Sequence, residues 1–226
     1  MNFSYPRHMN QRSTRATFVC FVGTDGAGKT TLSRAFNGRM TAARPQKCTY
    51  FEGSAYYTYL MRPFRKFARK RQLKNVDEFN NFKKFQDKKK SVLNSTKFRR
   101  LFYGTFLLFD YALLVLIKVV PFRLLGRQIT AARYIYDIAL KLKILLDLDI
   151  EQTHRIINWF TAVLPRPDHV FLIDIPEEVA MSRKNDAPSM SYLTERRKLY
   201  ITTVLDGTRP VDELVQEVES YLNVEK

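Results

Sequence analysis

Apolar residues along this chain fall into short compact runs separated by stretches with a helical repeat. Ala16 to Val22 is a brief run rich in β-forming residues and reads as a buried strand. Leu32, Ala35 and Phe36 then recur at helical spacing, with a stop expected around Asn37-Gly38. Further strands are predicted at Lys47 to Phe51, Gly126 to Ala131, His169 to Ile175 and Lys198 to Leu205. Helices are predicted over Tyr134 to Leu148, Glu151 to Leu164, Pro176 to Lys184 and Pro210 to Leu222. The last places Val211, Leu214, Val215, Val218 and Leu222 on one face. Short apolar strands alternating with helices predict an α/β domain with a parallel sheet of roughly five strands covered on both faces.

Two segments break this alternation. Between Arg62 and Arg100 fifteen Lys/Arg face only Asp77, Glu78 and Asp87, with phenylalanines interleaved near helical spacing. A solvated helical face is the first expectation for that stretch, and an anionic membrane surface the second. No nucleic-acid-binding motif accompanies it, so no specific nucleic acid is expected. Leu101 to Val120 is nearly continuous apolar sequence. Asp110 and Lys118 would each cost about 3 kcal/mol deep in lipid, so a buried core helix is expected there. A helix lying on an anionic membrane surface through 62–120 is the alternative.

Composition bounds the rest. The 226 residues are 45% hydrophobic and 27% charged, enough for one core and one domain over 16–226, with a helical insertion at about 55–125 and a basic, disordered tail at 1–15. The net charge of +16 implies an anionic partner. Cys20 and Cys48 are too few for a disulfide framework and lack zinc-type neighbours, which suits a reducing, cytoplasmic setting. Met1 to Arg15, basic and free of acids, also fits an organellar import segment. His8, His154 and His169 share no spacing that suggests a metal site.

The chemistry is carried by Gly23-Thr24-Asp25-Gly26-Ala27-Gly28-Lys29-Thr30-Thr31, between the first strand and the first helix. Gly-x-x-x-x-Gly-Lys-Thr is the P-loop pattern, in which glycines let backbone N–H groups turn toward phosphate oxygens. Lys29 is expected at the β- and γ-phosphates of ATP, and the Thr30 hydroxyl on Mg²⁺. The fold expected is therefore a P-loop NTPase three-layer sandwich carrying a basic helical insertion.

Phe21 to Thr31 closely resembles the opening of thymidylate kinases. Gly126 to Asp137 looks like that family's strand and Asp-Arg-Tyr turn, Phe171 to Ala180 like its fourth strand, Ser182 to Asp186 like its lid, and Leu205 to Val211 like its final strand and adenine-side loop. The resemblance implies ATP-dependent phosphoryl transfer to a nucleoside monophosphate, dTMP-like, and a homodimer. It implies catalytic roles for Lys29, Arg133 and Arg183, with Arg196 or Arg197 as further lid candidates. Asp25, Arg62 and Arg133 would meet the acceptor, and Thr208 and Arg209 the adenine side. Ala132 stands where the family has an aspartate, and the helix before that strand lacks the family's arginine. Asp110 or Asp137 is a candidate substitute for the acid. The alternative expectation is an ATP-binding protein with little or no kinase activity, recruited to a membrane or complex by its basic helices.

Overall fold

The structure, a computed structural model, describes residues 16–24, 26–53, 97–176, 178, 179, 182 and 203–224. Five strands, β1 (Phe18–Gly23), β2 (Cys48–Glu52), β3 (Gln128–Ala132), β4 (His169–Asp174) and β5 (Thr203–Asp206), form one sheet in the order β2-β3-β1-β4-β5. Every pairing is parallel. The helices among the described residues are α1 (Lys29–Ala43), α2 (Lys97–Lys118), α3 (Val120–Leu124), α4 (Tyr134–Leu146), α5 (Ile150–Val163) and α6 (Val211–Val224).

The expected strands recur with small shifts, and the start expected for the last one, at Lys198, lies outside the described residues. The clearest difference is α1. Its stop was expected at Asn37-Gly38, yet it runs to Ala43. Phe36 and Met40 are buried against the sheet on either side of Gly38, and their burial outweighs the roughly 1 kcal/mol that a mid-helix glycine costs. In contrast, the boundary between α4 and α5 is set by local chemistry. Asp147 adopts a left-handed conformation at φ 59° and closes α4. Asp149 then opens α5 with a capping box, its carboxylate accepting from Gln152 N–H at 2.7 Å.

Two cores sandwich the sheet. One gathers Phe18, Phe51, Tyr111, Tyr134 and Phe160 beneath α2, α4 and α5. The other packs Val19, Phe21 and Phe171 against Phe36 of α1 and Leu214, Val215 and Val218 of α6. Helix α2 passes Gly104 unbroken and is half core: Leu107, Tyr111, Leu114 and Val115 are buried, as is Asp110. The run Leu101–Leu124 is long and apolar enough by length and composition to cross a bilayer, and a third of it is buried.

Candidate nucleotide site

The strand order places the carboxyl end of β1 between those of β3 and β4, the place where open parallel sheets hold ligands. There β1 gives way to the glycine loop. Gly23 has φ +154°, and a Cβ on it would lie 2.5 Å from the Ile173 carbonyl oxygen. Only glycine lets the chain turn this close to β4. Gly28 caps α1 at φ 81° in the left-handed region. A Cβ at Gly28 would meet nothing within 4 Å, so space is open over the start of the helix. No side chain caps α1, and no acid stands in its first turn. Its first N–H groups, without intrahelical acceptors, and its positive dipole end therefore face that space.

Lys29 is 4% exposed. It folds back over the loop, its Nζ donating to the Thr24 carbonyl. The Thr24 hydroxyl is also buried, without a hydrogen-bond partner among the described residues. Thr30 and Thr31 occupy the first turn of α1, half-buried and exposed respectively. A buried ammonium, a buried unsatisfied hydroxyl and a helix start that no side chain caps suit a multiply charged anion better than water-exposed surface.

Beside the loop opens a cleft of about 330 Å³. Gly26, Gly28 and Thr31 line it on the loop side, Ile173 from β4, and Gly207 and Arg209 from the turn after β5. A Cβ at Gly207 would lie 2.6 Å from Ile173 Cγ2 and 2.7 Å from Ile175 Cγ2, which draws this turn hard against β4. Asp206 organises the turn: its carboxylate accepts from Thr208 N–H at 3.0 Å and from the Thr208 hydroxyl at 2.6 Å. Those bonds hold the Asp206 carboxyl below its ordinary pKa. Arg209 is bound by Glu213 at 3.1 Å and Glu217 at 2.5 Å, which raise its pKa. The two residues expected on the adenine side thus differ: Arg209 lines the cleft, whereas the Thr208 hydroxyl is engaged by Asp206.

The other flank of the loop belongs to β2 and β3. Ala132 pairs with Phe21 on one side and Glu52 on the other. Gly53 N–H donates to the Ala132 carbonyl at 2.8 Å, and Arg133 N–H to the Phe21 carbonyl at 2.8 Å. Arg133 and Tyr134 follow at φ 77° and 48°. Two successive non-glycine residues with positive φ cost about 1–3 kcal/mol each and persist only where the surroundings hold them. Here Tyr134 is the anchor, fully buried, edge-on to Phe18 with ring centroids 5.2 Å apart, its hydroxyl donating to the Pro165 carbonyl at 2.7 Å. The Arg133 guanidinium lies 3.6 Å from the buried Asp137 carboxylate, which also lies 3.6 Å from Lys141 Nζ.

The structure therefore brings the loop (Gly23, Thr24 and Gly26 to Thr31), Arg133 and Arg209 to one end of the sheet. Asp25, Arg62, Arg183, Arg196 and Arg197 lie outside the described residues. Of the acids considered as substitutes, Asp137 stands beside Arg133 and Asp110 is buried in α2. Reasoning from sequence passed over Glu52, whose register partner is Ala132 and whose carboxylate lies 3.3 Å from Arg34, one turn beyond Thr30 on α1. It also passed over Ile173 as a cleft wall, whereas Gly207 falls within the Leu205 to Val211 stretch expected to form the adenine-side loop.

These features define a P-loop NTPase-type α/β fold. No family model matches the chain, and no curated protein matches it by sequence. Among solved structures it is similar to thymidylate kinase from Ehrlichia chaffeensis, with a TM-score of 0.55 over 92% of this chain and 99% of that chain, at 16% identity. The likeness is one of fold, and it extends over nearly the whole of both chains.

Proposed function

We propose that this protein is a nucleoside monophosphate kinase, moving the γ-phosphoryl group of ATP to a dTMP-like acceptor. The observation that carries this reading is the arrangement around β1: the loop with buried Lys29 at its end, the cleft reaching Gly207 and Arg209 on the β4 side, and Arg133 on the β3 side. In this reading the ATP base enters the cleft and its phosphates lie along Gly23 to Thr31. The acceptor phosphate meets Arg133, with Asp25 and Arg62 completing the acceptor side and Arg183 the lid.

An acceptor phosphate oxygen attacks Pγ as the bond from Pγ to the β-phosphate bridging oxygen breaks, and ADP leaves. Such transfers need little covalent help from protein, so placed cations and backbone donors are the working parts. Lys29 and the first-turn N–H groups of α1 meet the charge of the transferring group. Arg133, fixed by Asp137 and by its constrained backbone, orients the acceptor. The Thr30 hydroxyl fits a magnesium ligand, since Mg²⁺ is commonly held by few protein oxygens plus substrate phosphates and water. Among the described residues no cluster of three acidic, histidine or cysteine side chains forms a dedicated cage. When bound, the ion supplies charge neutralisation at the β- and γ-phosphates.

One observation favours the second reading, an ATP-binding protein with little turnover: the position corresponding to the family's aspartate is Ala132, fully buried and apolar. ADP release measured over a panel of nucleoside monophosphates, with Lys29→Ala as control, separates the two. Turnover with dTMP or a relative that Lys29→Ala abolishes supports the kinase. ATP binding without turnover on any acceptor overturns it.

A further inference from the structure

The outward face of α2 carries an apolar stripe between Leu101 and Ile117. Phe102, Phe109 and Leu116 recur every seven residues and are 67%, 62% and 48% exposed, Leu101 and Ile117 form the ends of the stripe, and Leu124 of α3 is exposed beyond it. An amphipathic helix normally turns polar residues outward. Here the polar side chain within the stripe is Thr105, and its hydroxyl donates to its own helix, to the Leu101 carbonyl at 2.9 Å. That leaves little for water to bind. Scattered exposed apolar residues need no explanation, but a continuous stripe marks an interaction surface.

Charge selects the partner. Between residues 97 and 127 the sequence carries Lys97, Arg99, Arg100, Lys118, Arg123 and Arg127, and its sole acid, Asp110, is fully buried. The stripe is therefore uncharged along its middle and basic at both ends. A second copy packed on it in a two-fold arrangement would set basic end against basic end, whether the helices ran parallel or antiparallel, with no exposed acid on the stripe to compensate. Residues 62–96 add the same sign of charge, twelve Lys/Arg against three acids. A bilayer surface bearing anionic head groups matches both features at once, with acyl chains for the stripe and phosphates for its ends.

We propose that α2 and α3 lie in the plane of an anionic membrane surface, with Phe102, Phe109 and Leu116 dipping into it. The opposite side of α2 belongs to the protein core through Leu107, Tyr111 and Val115, so the helix rests on the membrane instead of crossing it. This inference is independent of the kinase reading, because it rests on no residue of the nucleotide site.

The test is vesicle co-sedimentation of the full chain with phosphatidylcholine vesicles, and with vesicles in which about a third of the lipid is phosphatidylglycerol. The expected result is binding to the anionic vesicles that weakens as salt rises. Phe109→Glu with Leu116→Glu should weaken it by about tenfold or more, while the thermal midpoint stays that of the wild type because both side chains are exposed. Leu116→Gln alone is the milder check and should give a smaller loss in the same direction. Absence of binding to anionic vesicles overturns the proposal. So does binding that all these variants leave unchanged, which would assign lipid contact to the basic run alone. A wild-type dimer that the double variant converts to monomer, with neither binding vesicles, would assign the face to a second copy.

Discussion

Glu52 and Ala132 sit directly opposite each other on neighbouring strands, and both face α1. The pair puts a carboxylate one strand away from the position where the resemblance to thymidylate kinases leads one to expect an aspartate. Restoring that acid by Ala132→Asp would set two carboxylates across a parallel ladder, one of them at a fully buried position. The variant should lose about 1–3 kcal/mol of stability at neutral pH. Each carboxylate disfavours ionisation of the other, so the loss should shrink as pH falls through the carboxylate range. If the site accepts a divalent cation with ATP, adding both should raise the thermal midpoint more in Ala132→Asp than in wild type. Calorimetric melts with and without MgATP decide it, and Ala132→Asp with Glu52→Gln should recover stability.

Asp137 is placed to hold Arg133. It stands 3.6 Å from both the Arg133 guanidinium and Lys141 Nζ, with little solvent access of its own. Asp137→Asn removes the anion and leaves two cations facing each other, which should cost about 1–3 kcal/mol of stability. In the proposed kinase reading, the expected outcome is a raised KM for the phosphorylated acceptor with a smaller change in kcat, since a positioning group is lost and no reacting atom is touched. A kcat loss with KM unchanged would contradict the positioning role.

Much of this arrangement was legible in the chain, and the limits have physical causes. The loop and its flanking strand and helix were visible because a local motif and local periodicity coincide over Ala16 to Phe36. The buried strands announced themselves as short apolar runs. The pairing of Glu52 with Ala132 was not visible, because register depends on β3 inserting between β1 and β2. The cleft was only half visible: Gly207 is far from Gly28 in sequence, and they meet because β5 adds beside β4. Helix α2 is apolar almost all round, so periodicity could not say which face is core. The burial of Asp110 and the exposure of Phe109, adjacent in sequence, show how sharply the two faces divide.

Lys29→Ala removes the cation that folds over the phosphate loop. Its ammonium is held by the Thr24 carbonyl, so the substitution leaves that acceptor and a small void, a modest loss for folding. For a bound triphosphate the loss is larger. ATP affinity should fall at least about tenfold, or ~1.4 kcal/mol, as read by isothermal titration. Affinity within twofold of wild type would mean that the loop does not receive phosphates in the expected way.

Two glycines of the cleft should respond to alanine for opposite reasons. At Gly28 a Cβ meets open space but the backbone sits at φ 81°, so Gly28→Ala carries conformational strain of about 1 kcal/mol and places a methyl where phosphate is expected. At Gly207 the obstacle is packing, with Ile173 and Ile175 less than 3 Å from the new methyl, and overpacking of this kind typically costs about 1–3 kcal/mol. Trimming the neighbour should therefore rescue one variant and not the other. Ile173→Ala deletes the Cγ2 that the new methyl meets, so the melting-temperature loss caused by Gly207→Ala should be smaller in an Ile173→Ala background than in the wild type, while the loss caused by Gly28→Ala should stay the same. Equal rescue of both would undo the distinction.

The turn after β5 should loosen in acid. Asp206 has its pKa lowered in the folded protein, first by the Thr208 hydroxyl and then by the Thr208 N–H. A lowered carboxylate pKa contributes stability that is fully present above the unfolded value and is lost as pH falls through the folded one. The turn carries Gly207 and Arg209 into the cleft, so ATP affinity should decline over the same acidic window. Asp206→Asn cannot gain a negative charge and should remove that part of the pH dependence, leaving a weaker affinity that no longer tracks Asp206 ionisation. Titrations of wild type and Asp206→Asn across the carboxylate range, each referenced to its own neutral-pH affinity, provide the comparison. Identical pH profiles would show that Thr208 and Asp206 do not hold the cleft wall in place.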